Sequence, residues 1–188
     1  AVRYWAASAR LGVDATFDEQ QMKIGRRLAM KVLNASKFAL SMGGEGAPAD
    51  VDVAAVTEPA DRAVLAGLAD VVDEATASFD AYDHTRALEL AESCFWSFCD
   101  DYLELVKDRA YSDEPSSRSA RVALNVAVDV FLRLLAPFIP YATEEVWSWF
   151  RTGSVHRAAW PSSEPLRAAA AGADAEILRV AGEALTAL

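Results

Sequence analysis

The sequence of 188 residues contains only two cysteines and two histidines. Cys94 and Cys99 are five positions apart, so on a helix they point to different sides, unlike the close pairs of zinc sites. His84 and His156 are isolated in the sequence. We therefore expect no metal site, and ordinary packing or surface roles for these four residues. So few thiols are typical of a reducing, cytoplasmic compartment.

Long apolar runs and catalytic motifs are also missing. No apolar stretch approaches the roughly 20 residues that cross a bilayer, and the first residues do not have the pattern of a signal peptide. The sequence has no glycine-rich phosphate loop, no HExxH or GxSxG motif and no cysteine–histidine dyad. These absences argue against a membrane protein and against catalysis by this chain. Because the chain opens at Ala1 without an initiator methionine, we expect a piece of a longer protein.

Charge is abundant and unevenly distributed. The formal net charge is −10, which by itself argues against a nucleic-acid partner. Residues 1–44, however, hold seven basic residues against three acidic ones, a charge of +4, whereas the remainder carries −14. A polyanion would therefore be attracted to the first part of the chain and repelled by much of the rest.

Apolar residues recur at three- and four-residue steps along most of the chain, as in amphipathic helices. Glycine and proline at residues 43–48 predict a loop, residues 113–117 predict a polar turn, and Thr143 is expected to cap a short helix. Short turns between long helices favour an all-α, antiparallel helix bundle with a small extended segment near residues 153–161. The longer predicted helices cover about residues 1–11, 18–42, 59–80, 83–110, 119–135 and 174–188. Thr16 or Asp18 is expected to cap the second of these helices, and Asp83 the fourth.

The second helix carries the most informative pattern. At about 100° per residue, six basic or amide side chains fall within an arc of roughly 140°, beside an apolar stripe. Such a face fits a phosphate track, in which cations supply affinity and the amide reads a base edge or a ribose. The simpler alternatives are a solvated basic face and an asparagine that braces the bundle. The six candidate RNA-binding residues are Lys23, Arg26, Arg27, Lys31, Asn34 and Lys37.

Two other groups of residues invite a functional interpretation. One is a set of aromatic residues whose helical spacing favours the core over a base-stacking platform. The other is the Glu144–Glu145 pair, which has no nucleophile or base beside it, so that helix capping explains it better than acid–base chemistry. The aromatic set comprises Phe95, Trp96, Phe98 and Tyr102.

Three stretches carry a family resemblance: residues 26–38 (RRLAMKVLNASKF), 95–107 (FWSFCDDYLELVK) and 137–147 (PFIPYATEEVW). The first resembles the basic helix of the valyl, isoleucyl and leucyl tRNA ligases, and the third resembles a signature shared by these enzymes. The second resembles the valyl form particularly. The likeness covers about residues 1–165, with the three stretches in the order that the family has.

The resemblance implies that residues 1–165 form an anticodon-binding helix bundle and that residues 166–188 begin a C-terminal helical extension. It also implies a cytoplasmic parent enzyme that attaches valine to its tRNA using ATP, with catalytic and editing domains in the same chain. No catalytic residue and no cofactor site are expected in this piece. Leu28, Met30 and Leu33 depart from the Phe, Asn and Trp that are frequent in the family.

Two alternatives remain open from the sequence. One is the corresponding domain of an isoleucyl or leucyl ligase, because amino-acid choice is made elsewhere in such enzymes. The other is an acidic helical scaffold that binds a protein partner and uses the basic helix as its docking face.

Overall fold

The computed structural model describes residues 1–42, 53–174 and 176–186, and all regular structure within these ranges is helical. This confirms the all-α fold class; the loop predicted at residues 43–48 lies outside the described residues. None of the described helices is both long and apolar enough to span a membrane. The α-helices are α1 (Val2–Ser8), α2 (Glu19–Ser41), α3 (Pro59–Asp80), α4 (His84–Ser97), α5 (Leu103–Tyr111), α6 (Pro115–Leu135), α7 (Pro140–Ser148), α8 (Ser163–Ala169) and α9 (Glu176–Thr186).

Aspartate caps begin two of the long helices where the sequence predicts them. The Asp18 carboxylate accepts a hydrogen bond from the backbone N–H of Gln20 at 2.7 Å, at the start of α2. The Asp83 carboxylate accepts one from the backbone N–H of Arg86 at 3.0 Å, at the start of α4. Each bond satisfies a first-turn donor that has no partner within the helix. The predicted starts at residues 18 and 83 are therefore confirmed to within one residue.

Other predicted boundaries are wrong. Helix α6 begins at Pro115, inside the predicted polar turn, because the fixed φ of proline suits the first position of a helix. Thr143 does not cap α7, which begins at Pro140; its hydroxyl instead donates to the carbonyl oxygens of Ile139 at 3.2 Å and Pro140 at 3.1 Å. The short helix α8 was not predicted, because its seven residues contain a single large apolar side chain, Leu166, and so show no apolar periodicity.

A π-helical turn, Phe98–Tyr102, joins α4 to α5 where the sequence predicts one uninterrupted helix. The backbone N–H of Leu103 donates to the carbonyl oxygen of Phe98, five residues earlier, which is the spacing of a π-helix. Helix α4, the π-helical turn and α5 form one continuous helical rod, whose hydrogen-bond spacing changes in its middle.

The segment expected to be extended, residues 153–161, contains no strand. It holds a single 3₁₀ turn, Val155–Arg157, with extended backbone at the residue on either side. Trp160 then ties the segment to α3: its indole N–H donates to the Thr76 hydroxyl at 2.9 Å, and its ring meets the Phe79 ring edge-on with centroids 5.3 Å apart.

Helix α6 is the centre of the bundle and packs against α2, α3, α4, α5 and α7. Its Phe131 ring lies 5.3 Å from the Phe95 centroid and 5.2 Å from the Phe98 centroid, and Phe98 in turn lies 5.8 Å from Tyr102. All four side chains are buried. The core interpretation is confirmed for these aromatics, whereas Trp96 is only partly buried and faces α2.

The Asp61 carboxylate at the start of α3 is fully buried and accepts four hydrogen bonds from other parts of the bundle. It accepts two hydrogen bonds from the Arg109 guanidinium, at 2.6 and 2.9 Å, and one from the Tyr102 hydroxyl at 2.7 Å. The Ser119 hydroxyl donates the fourth, at 2.6 Å, and accepts from the backbone N–H of Thr57. Burial and the adjacent carboxylate raise the pKa of Tyr102 well above its usual value.

Helix α1 rests on α2 at a glycine. The Tyr4 side chain is buried against Gly25, where an added Cβ atom would lie 2.5 Å from Tyr4 Cγ. The Tyr4 hydroxyl then donates to the Glu92 carboxylate on α4 at 2.6 Å. Glycine at position 25 therefore permits the close approach of α1 to α2.

We predict that Asp61→Ala lowers the free energy of unfolding by about 3–5 kcal/mol, because it leaves the partly buried Arg109 charge without its partner. Asp70→Ala is the matched control, because Asp70 lies on the same helix as Asp61 but forms an exposed ion pair with Arg167 of α8. Its loss should cost less than about 1 kcal/mol. Urea unfolding followed by circular dichroism measures both. Equal losses in the two variants would contradict a special role for Asp61.

Gly25→Ala should also destabilise the chain. Overpacking against Tyr4 costs roughly 1–3 kcal/mol, which outweighs the gain in helix propensity of about 1 kcal/mol. Gly67→Ala on α3 is the control, because a Cβ there meets nothing within 4 Å and only the propensity gain remains. Thermal unfolding should show opposite shifts of the midpoint, and a rise in both variants would show that α1 does not rest on Gly25.

Candidate nucleic-acid interface

All six residues predicted to bind RNA lie on the side of α2 away from its core contacts. The buried residues of this helix include Leu28, Val32, Ala35 and Ala39. Five of the six candidates are exposed and one is half-buried. The exposed candidates are Lys23, Arg26, Arg27, Asn34 and Lys37, and the half-buried one is Lys31.

Four of these cations have no acidic partner among the described residues. Within the described ranges, Lys23, Arg26, Arg27 and Lys37 form no salt bridge, although the chain as a whole has an excess of acidic residues. The exposed Asn34 side chain makes no hydrogen bond to the described residues, so no contact supports the idea that it braces the bundle. A row of cations with no acidic partner in the part of the chain that the structure describes, and with an amide among them, is available to a polyanion.

Lys31 differs from the other cations. Its ammonium donates to the Asp100 carboxylate at 2.9 Å and lies 5.7 Å from the centroid of the Trp96 ring. The hydrogen bond to Asp100 is the main reason why the pKa of Lys31 is raised. An acid beside this face could not be expected from local patterns, because Asp100 lies 69 positions further along the chain and reaches Lys31 only through the fold.

The sequence interpretation did not identify the side chains that lie opposite the α2 cations. Glu92, Trp96 and Asp100 follow one another at four-residue steps on α4 and the π-helical turn, and with Ile24 and Arg27 they line a cleft of about 260 Å³. The sequence interpretation treated Trp96 as core and did not connect it with the two carboxylates. The four-residue spacing was the one available indication that these three side chains share a helix face.

The Glu144–Glu145 pair, for which the sequence favoured helix capping over acid–base chemistry, is a structural element. Glu144 accepts hydrogen bonds from the Ser154 hydroxyl at 2.9 Å and from the backbone N–H of Val155 at 3.0 Å. Glu145 accepts one from the Trp149 indole at 3.1 Å. These bonds hold the segment after α7 and do not support the capping role that the sequence suggested.

The two thiols offer no reactive centre. Cys94 is partly buried and Cys99 is buried, and both are free. Burial raises the pKa of each thiol to about 12, so the nucleophilic thiolate is scarce at neutral pH. No group of three or more potential ligands in the described ranges is placed to hold a metal ion.

Comparison with known proteins gives a consistent result. The family described as the anticodon-binding domain of tRNA ligase matches residues 61–187. A valine–tRNA ligase of Thermobifida fusca is 63% identical over 188 residues, covering 98% of this chain and 21% of the relative. Those of Bifidobacterium longum and Leifsonia xyli are 56% and 57% identical, covering 98% and 99% of this chain.

The chain spans about a fifth of the length of the relatives that it matches. Helix α2, which carries the candidate RNA-binding residues, precedes the region of the family match but lies within the alignments to the full-length relatives. The family match and the all-helical fold lead to the same assignment. This chain belongs to the family of anticodon-binding domains of tRNA ligases.

Proposed function

We propose that this chain binds the anticodon arm of a valine-accepting tRNA as one part of a valine–tRNA ligase. The parent enzyme would attach valine to its tRNA using ATP, in the cytoplasm, through catalytic and editing domains in the same chain. In this proposal the helix bundle contributes recognition alone, and no residue described here takes part in catalysis. The boundary between the bundle and a C-terminal extension at residue 165 stays a prediction.

The observation that carries the proposal is the row of cations on α2 that form no salt bridge with any described residue. In a chain of net charge −10, these exposed cations form one face to which a phosphate backbone is attracted. Lys23, Arg26, Arg27 and Lys37 would bind phosphates, and the exposed amide of Asn34 would contact a ribose or a base edge. Lys31 would contribute less to simple phosphate attraction, because Asp100 already neutralises it.

The names of the relatives support the valine assignment over the isoleucine and leucine alternatives. The family match does not favour the acidic scaffold. An acidic peptide that displaced RNA from α2 would be the observation in favour of such a scaffold. Specificity for the amino acid itself belongs to the parts of the parent outside this chain.

The direct test is binding of this chain to tRNA with a valine anticodon and to the same tRNA with an altered anticodon, across a salt series. We expect tighter binding to the valine anticodon and a steep loss of affinity with salt, because bound phosphates release counterions. Absence of binding at low salt would contradict the proposal. Equal affinity for the two tRNAs would show that this chain binds RNA without distinguishing the anticodon.

Arg26→Gln and Arg27→Gln should each weaken tRNA binding and reduce the slope of log affinity against log salt by about 0.7–0.9, the loss of one phosphate contact. Arg167→Gln is the matched control, since this exposed arginine lies against Asp70 and Asp73 of α3 on another part of the bundle. Its slope should equal that of the wild type. If the α2 variants behave like this control, α2 is not the phosphate track.

A further inference from the structure

A second cavity lies between α3, the helical rod and α9, on a different face of the rod from the cleft toward α2. Its volume is about 130 Å³. Cys94, Ser97 and Asp101 of the rod line it, and none of these three borders the cleft toward α2. The rod therefore presents different side chains to two separate spaces.

The interior of this cavity is apolar. Val64 of α3 and Phe98 and Tyr102 of the π-helical turn are buried and form its inner wall. The Tyr102 hydroxyl donates to Asp61 at 2.7 Å, so it is already engaged elsewhere. Leu178 of α9 adds a further apolar wall. Such an interior favours hydrocarbon over water.

The space stays open because the elements around it contribute little bulk. Gly67 of α3 lines the cavity, and an added Cβ atom there would meet nothing within 4 Å. Gly67 and Ser97 are exposed and form the open rim. An apolar cavity of about 150 Å³ holds one benzene molecule, whereas drug-sized ligands need roughly 300–1,000 Å³. This cavity therefore suits one benzene-sized ring or a short branched aliphatic chain.

The lining includes one charged side chain, Asp101. This side chain is half-buried, and an added Cβ atom on Gly182 of α9 would lie 3.4 Å from Asp101 Cγ. The carboxylate thus lies where the π-helical turn meets α9, one helical turn from Leu178. Within the described ranges it forms no salt bridge and accepts no hydrogen bond. A half-buried carboxylate without a countercharge favours a ligand that brings one.

The charge of the chain adds to this preference. The residues that follow position 44 carry a net charge of −14, and the cavity is built from that part of the chain. An approaching cation is attracted by this excess of acidic residues, and an anion is repelled. A ligand that carries a carboxylate or a phosphate is therefore disfavoured at Asp101.

We propose that this cavity is a binding site for a small apolar cation, whose ring or branched chain fills the space and whose ammonium group pairs with Asp101. The ligand class is a primary amine on one small ring or short aliphatic chain. A bound amine would contact α3, the rod and α9 together, and so would hold α9 against the bundle. The site shares no residue with the basic face of α2, so the inference goes beyond the proposed function and does not depend on it.

The test uses three probes of similar size and different charge, namely benzylamine, benzyl alcohol and benzoate. Each is titrated into the chain while NMR follows the methyl resonances of Val64 and Leu178, with those of the core residue Leu124 as the reference. We expect saturable shifts for benzylamine with a dissociation constant on the order of 1 mM, because so small a ligand makes few contacts. Benzyl alcohol should bind about 3–5-fold more weakly, since it lacks the ion pair, and benzoate more weakly still.

Asp101→Asn should bring the affinities for benzylamine and benzyl alcohol to within about 1.5-fold of each other, because the amide keeps the shape of the carboxylate and loses its charge. Asp108→Asn is the charge-matched control. Asp108 is exposed on α5 and does not line the cavity, so this variant should keep the wild-type preference.

Leu178→Phe tests the space itself. The larger side chain occupies the cavity, so the saturable shift at Val64 should be lost for every probe. Ile177→Phe is the matched control, because Ile177 is also half-buried on α9 but does not line the cavity. Circular dichroism confirms that each variant is folded, and the wild-type shifts test the location of binding without any substitution.

The proposal is overturned if benzylamine gives no saturable shift at Val64 and Leu178, or if Leu124 shifts as much as they do. Equal affinity of the wild type for the three probes would equally contradict it, as would an unchanged preference in Asp101→Asn. No RNA enters these measurements. Their result is therefore separate from whether the chain binds tRNA.

Discussion

The buried Asp61 carboxylate constrains the arrangement of the whole bundle. A carboxylate removed from water costs several kcal/mol unless a countercharge and hydrogen bonds compensate it. Here the compensating donors come from Tyr102, Arg109 and Ser119, in the π-helical turn, α5 and α6. Helix α3 must therefore meet these three elements at one point. Because α6 also packs against α2 and α7, this arrangement fixes the scaffold on which α2 lies.

The same rod connects this buried network to the surface. Its first part carries Glu92 and Trp96, which face α2, and its later part carries Tyr102 and Arg109, which face Asp61. The wall of the cleft is therefore anchored in the core. The cations of α2 depend on the scaffold less directly, since they need only a helix with a buried opposite face. The wall of the cleft and the basic face of α2 thus have different structural supports in this domain.

Local patterns in the sequence predicted much of the fold. Aspartate caps at Asp18 and Asp83 and the apolar periodicity located α2 and α4, and the same periodicity placed the six candidate residues on one face of α2. Features that depend on contacts between distant segments were not predictable in this way. The pairing of Lys31 with Asp100 depends on the approach of the π-helical turn to α2, and this turn has no residue pattern of its own. Phe95 and Trp96 are neighbours in the chain, yet the first is core and the second borders the cleft.

The π-helical turn makes this rod sensitive to length. Each residue of a helix advances its face by about 100°, so deleting one residue between positions 98 and 102 would rotate everything beyond the turn relative to everything before it. The shortened rod would still be a good helix by local criteria. It would nevertheless be unable to direct Trp96 toward α2 and Tyr102 toward Asp61 at the same time. In an alignment, a gap of one residue at this turn would therefore identify a relative whose interface differs, even if its overall sequence identity is high.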